Sequence, residues 1–144
     1  MTDEFSRSIW IDAPPEIVFP YFVEAEKLAR WTGEGAEVDP VPGGVYRLDM
    51  GNAGVITAQI VAIEPPRFLS YQVVSHGTKN LVEIDIVAEA GGSRVRVSHA
   101  GLVAPFATVA ARGWDHHLAR LSVIATGGTP GPDTLCARPM DTLI

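Results

Sequence analysis

The sequence predicts an α+β domain: a curved antiparallel sheet of about six to seven strands wrapped around a long C-terminal helix, with two short helices after strand 1. Three observations predict it. Apolar and polar residues alternate in segment after segment between Val45 and His99. An Ala13-Pro14-Pro15-Glu16 helix start stands before that run, directly after a first alternating stretch. One long amphipathic helix, Ala107 to about Thr126, stands after it.

Phe5, Arg7, Ile9 and Ile11 alternate with Ser6, Ser8, Trp10 and Asp12, which is the period of a strand. Proline at 14 and 15 suits a first helical turn, and Glu16 there complements the helix dipole. Ile17, Val18, Phe19, Tyr21 and Phe22 supply an apolar face. Pro20 lies within that segment, removes a backbone donor and crowds the Glu16 carbonyl. A short helix, a kink and a second helix over about Ala25 to Arg30 are therefore expected. Gly33 to Gly44 reads as loop, punctuated by Pro40, Pro42, Gly43 and Gly44.

Strands follow. Val45 to Met50 sets Tyr46, Leu48 and Met50 on one face, and Gly51 to Gly54 makes a hairpin turn into Val55 to Glu64. Pro65-Pro66 ends that strand. Phe68 to Val74 places Leu69, Tyr71 and Val73 together, and Ser75 to Lys79 reads as a loop. Leu81 to Glu89 faces Val82, Ile84, Ile86 and Ala88 one way and Glu83, Asp85 and Glu89 the other. Gly91-Gly92 turns into Ser93 to His99, where Val95, Val97 and His99 oppose Arg94, Arg96 and Ser98. An antiparallel sheet with one wet face gives this pattern. Glu83 and Asp85 opposite Arg94 and Arg96 read as a solvated ion-pair face.

On the last helix, Ala107, Ala110, Ala111, Trp114, His117, Leu118, Leu121 and Ala125 share one face, and Gly127-Gly128 stops it. The small residues permit close approach to the sheet at one end. The domain is expected to span 1–126. The Pro- and Gly-rich tail, 127–144, is expected to pack back or to lie at a dimer interface.

The chain has 144 residues and a formal net charge of −6. Its lysines and arginines are scattered, whereas a nucleic-acid footprint needs a basic stripe, so no nucleic-acid partner is expected. No apolar run has membrane-spanning length and no secretory signal is visible at the N-terminus. The single cysteine, Cys136, cannot form an internal disulfide. A cytoplasmic setting is the expectation.

Five segments occur in an order that resembles a known superfamily. They are Ala13-Pro14-Pro15-Glu16 with Val18-Phe19, Glu26 to Trp31, Gly43-Gly44 with Tyr46, Ile63 to Arg67 with Leu69, and Gly113-Trp114 with Leu118 and Leu121. Together they resemble the START-like, or SRPBCC, superfamily with its helix-grip fold. The branch is the one similar to the C-terminal domain of the activator of the ninety-kilodalton heat-shock-protein ATPase. The resemblance implies a deep hydrophobic cavity between sheet and C-terminal helix that binds small apolar or amphipathic molecules. It does not imply one activity, since members include carriers, cyclases and hydrolases. Pro20, Thr32 after Trp31 and the long tail depart from the pattern.

The expected cavity wall comprises Phe22, Trp31, Tyr46, Leu48, Tyr71, Val73, Ile84, Val97, His99, Trp114, His117, Leu118 and Leu121. His99 and His117 are the candidate acid–base groups, because an imidazole titrates near neutrality. The simpler role for each is a buried histidine satisfied by a backbone or neighbouring group. No carboxylate near His117 in sequence orients it, and no cluster of metal-ligand spacing is present, so no metal is expected. The chain has no Gly-x-Ser-x-Gly elbow, phosphate loop or dinucleotide fingerprint, so no cofactor is expected. Binding of a small hydrophobic ligand, lipid-like or polyketide-like, is the first expectation. A cyclase, dehydratase or hydrolase using the cavity histidines is the alternative. A chaperone-contacting or other protein-interaction module, with a homodimer as its assembly, is the third.

Overall fold

The structure, a computed structural model, describes residues 3–51, 54–75, 78–103 and 106–130. Among them the chain forms β1 (Asp3–Ile11), α1 (Pro15–Val18), α2 (Pro20–Val23), α3 (Ala25–Thr32), β2 (Gly35–Val38), β3 (Val45–Asp49), β4 (Val55–Glu64), β5 (Phe68–Ser75), β6 (Thr78–Glu89), β7 (Gly92–Leu102) and α4 (Phe106–Ala125). The seven strands make one sheet in the order β1-β7-β6-β5-β4-β3-β2, and every neighbouring pair is antiparallel. The α+β, helix-grip reading holds, with α4 laid across the apolar face.

Residues paired directly across an antiparallel ladder face the same way, so the register draws rows over the sheet. One row runs Phe5, His99, Val82, Tyr71 and Ile60. The next runs Val38, Tyr46, Ala58, Val73 and Asn80. A third runs Arg7, Val97, Ile84, Leu69 and Ile63. Eleven of these fifteen side chains are buried and the other four half-buried, which makes this the core-bearing face. A register shift between Ile60 and Ala62 moves the inward set of β4 from even to odd positions. It leaves Val61 outside, 54% exposed.

Pro20 acts as the sequence predicts, because the first helical segment breaks at Phe19, which ends α1 and caps α2. Pro20 becomes the first residue of the renewed turn, where its missing N–H costs nothing. Val18, Phe19 and Phe22 point into the core from this arm. The second helix, α3, runs two residues past Arg30, to Thr32.

Three strand boundaries differ from the sequence reading, one being the end of β7, which runs past His99 to Leu102. Gly35–Val38 is a strand, β2, paired with β3 at the sheet edge. Its short length, its start on Gly35 and the Asp39-Pro40 that follows hide it in a stretch read as loop. The strand β6 begins at Thr78, so Asn80 lies within the ladder rather than beyond a loop. The turn residues Asn52 and Ala53, the loop residues His76 and Gly77, and tail residues 131–144 with Cys136 lie outside the described residues.

Held at its flanks, α4 makes its close backbone approach to β1 and also contacts α3. Ala107 and Ala111 permit the approach to β1, and Arg7 Nε of β1 meets Asp115 Oδ1 of α4 at 2.9 Å. Among the described residues, no helix is long and apolar enough to cross a membrane.

Candidate binding site

The concave face brings most of the expected wall together. Phe22, Trp31, Tyr46, Leu48, Tyr71, Val73, Ile84, Val97, Leu118 and Leu121 belong to one buried cluster. Trp114 is half-buried against it, and His99 and His117 are buried polar members of the same interior. Trp31 anchors α3 in this layer. Its ring meets Phe22 edge-on, with centroids 5.0 Å apart, and its Nε1–H donates to the Tyr21 carbonyl at 2.9 Å.

Two tyrosines pack together within the cluster. Tyr46 and Tyr71 stack with centroids 4.3 Å apart and planes 21° from parallel. The Tyr46 hydroxyl donates to the Phe22 carbonyl at 2.7 Å, tying β3 to α2. Burial raises the pKa of both phenols, and the neighbouring Tyr71 adds to the rise at Tyr46. Both therefore stay neutral near pH 7. The Tyr71 hydroxyl has no hydrogen-bond partner among the described residues.

His99 sits in a polar cluster whose geometry fixes its tautomer. Trp114 Nε1–H donates to His99 Nδ1 at 3.2 Å, so that nitrogen is unprotonated. Nε2–H then donates to Asn80 Oδ1 at 2.7 Å. Phe5 covers the imidazole, with ring centroids 5.4 Å apart. Burial lowers the His99 pKa to about 4, so the ring is neutral at pH 7. Gly101 lets β7 pass closely beside Asn80: its φ is +96°, and a Cβ there would lie 2.6 Å from the Lys79 carbonyl.

His117 has a different anchor. Its Nδ1–H donates to the Trp31 carbonyl at 3.0 Å, joining α4 to α3. His116 stands edge-on to it at 5.1 Å and is only partly buried. Among the described residues, no three His, Cys, Asp or Glu side chains group to hold a metal ion. The outer ion pair of Arg94 crosses the β6–β7 hairpin to Glu89, at 2.8 Å, rather than to Glu83 or Asp85.

A separate groove of about 530 Å³ runs between Glu4, Phe5 and Arg7 of β1 and Ala107, Ala111 and Asp115 of α4. None of the expected wall residues lines it.

Sequence reasoning missed Asn80 and Phe5 as members of the His99 cluster. The signal for Asn80 is positional: it continues the even-numbered inward series Val82, Ile84 and Ile86 by one step. Phe5 is legible only from the β1–β7 pairing, which joins segments at opposite ends of the chain.

A family described as Activator of Hsp90 ATPase homolog 1-like protein matches residues 12–126. No curated protein matches the chain at a significant level. The AHSA1-like protein from Rhizobium etli is 34% identical, over 93% of this chain and 88% of its own, with a TM-score of 0.71. The Aha1 dimer from Colwellia psychrerythraea is 17% identical, over 89% of this chain and 99% of its own, with a TM-score of 0.79. DynU16, from the dynemicin biosynthetic locus, is 20% identical over 89% of this chain, with a TM-score of 0.77. The chain spans 49% of DynU16. The last two share the fold alone. The family match covers most of the chain, including the helical arm, strands β2 to β7 and α4. The chain belongs to the Activator of Hsp90 ATPase homolog 1-like family.

Proposed function

We propose that this protein binds a small apolar or amphipathic molecule between the concave face of the sheet and α4. The observation that carries this reading is how α4 is held. Its backbone comes close to β1 on one side and contacts α3 on the other. Trp114 and His117 fasten it there through His99 and the Trp31 carbonyl. Tyr71, Val73, Val82 and Ile84 of the middle strands share one buried cluster with Leu118 and Leu121 of α4. An interior of apolar and aromatic walls with a few placed polar groups is the usual make-up of a small-molecule site. Acid–base catalysis by His99 and His117 has less support, because both nitrogens of His99 are engaged and its pKa lies well below neutrality. His99 is better read as a fixed part of the wall.

Native mass spectrometry with N-phenyl-1-naphthylamine tests the proposal. One saturable adduct per chain is expected. No adduct, or a ladder of unsaturable adducts, contradicts it.

A further inference from the structure

We infer that the Tyr71 hydroxyl is the polar anchor of the site, and that the bound molecule is neutral and presents an oxygen acceptor, such as a carbonyl, to it. The inference rests on the binding function proposed above and names its ligand class.

The two stacked tyrosines differ in one respect. Tyr46 spends its proton on the Phe22 carbonyl. Tyr71 is only 3% exposed, yet its hydroxyl makes no hydrogen bond with any described residue. A buried hydroxyl without a partner forfeits its hydration unless something outside the protein accepts its proton. Tyr71 lies in mid-sheet, in the row Phe5, His99, Val82, Tyr71 and Ile60. A molecule lying between that row and α4 would meet this hydroxyl with apolar surface around it.

The charge of the ligand follows from what the interior lacks. The buried polar side chains among the described residues are Thr32, Ser70, Asn80, Ser93, His99 and His117, and His99 is neutral. None is an arginine, lysine, aspartate or glutamate. Arg7, at the edge of the same face, is paired with Asp115. On α4, Arg112 is exposed and Arg120 half-buried; both are engaged in other interactions, although Arg120 Nε is itself sealed from solvent without a hydrogen-bond partner. A carboxylate or ammonium would therefore be buried without a counter-charge, which is far costlier than burying a ketone. Since burial raises its pKa, Tyr71 remains a donor near pH 7 and favours an acceptor over an anion.

Three probes of one shape test this in the full chain: 2-acetylnaphthalene, 2-ethylnaphthalene and 2-naphthoate, each titrated against wild type and Tyr71→Phe. In Tyr71→Phe the ketone is expected to lose about fivefold in affinity, the factor of a typical net hydrogen bond. The hydrocarbon is expected to change by less than about twofold. In wild type the carboxylate is expected to bind more weakly than the ketone. The thermal midpoint of Tyr71→Phe should not fall below wild type, since the deleted hydroxyl has no protein partner, whereas Tyr46→Phe should lower it. Equal ketone affinity in wild type and Tyr71→Phe, with the hydrocarbon still bound, overturns the anchor and leaves the site standing. Tighter binding of the carboxylate overturns the neutral class. Failure of all three probes to bind wild type overturns the anchor together with the binding function.

Discussion

His99 shows how burial alone sets the chemistry of a residue. Its neutral ring fits between a donor, Trp114 Nε1–H, and an acceptor, Asn80 Oδ1, and protonating Nδ1 would place two donors face to face. The consequence is a pH dependence of stability. The folded pKa, about 4, is below the unfolded value of 6.5. Between those values the unfolded chain binds the proton and the folded chain does not. Stability is therefore complete above pH 6.5 and falls as pH drops toward 4, by up to about 3 kcal/mol from this group. Below the folded pKa the loss is complete. Urea denaturation of wild type and His99→Gln between pH 4 and pH 7.5 measures it. Wild type should lose more stability over this window than the variant, and identical profiles contradict the assignment. The histidine was legible in the sequence as an inward position on an alternating strand. Its partners were not, because Asn80 sits in a polar stretch and Phe5 is brought to it only by sheet closure.

At the scale of elements, a buried polar contact joins the helical arm to α4: His117 Nδ1–H donates to the Trp31 carbonyl of α3. His117→Ala should cost about 2 kcal/mol, because it removes a bond and leaves a buried carbonyl unsatisfied. A urea midpoint unchanged from wild type would show that the link contributes nothing. The Arg7–Asp115 pair also joins α4 to the sheet, but both side chains are more than a third exposed, so its contribution is small. The long elements were legible because their periods are clear over many residues: α4 and most of β3 to β7 stand close to where alternation places them. Pro20 announced the break in the arm. The edge strand β2 was hidden, since four residues that begin on Gly35 and run into Asp39-Pro40 carry too little pattern to outweigh turn composition. The bulge in β4 was hidden as well, because Ile60, Val61, Ala62 and Ile63 are all apolar and the change of inward face leaves no mark.

For the whole molecule, the layer between sheet and α4 is the place proposed for a ligand. The sequence pointed to this layer by bringing the same aromatic and aliphatic residues to one face, and the structure clusters them. What the ligand is could not be read from pattern, because it depends on one unbonded hydroxyl that only three-dimensional packing reveals. The outer face supplies an internal control, since Val61 and Val87 are 54% and 60% exposed there. The direct test is a methyl-labelled NMR titration with 2-acetylnaphthalene. The account predicts saturable shifts at Val73, Val82, Ile84, Leu118 and Leu121, with Val61 and Val87 unmoved. Shifts confined to the exposed valines, or none that saturate, would contradict it.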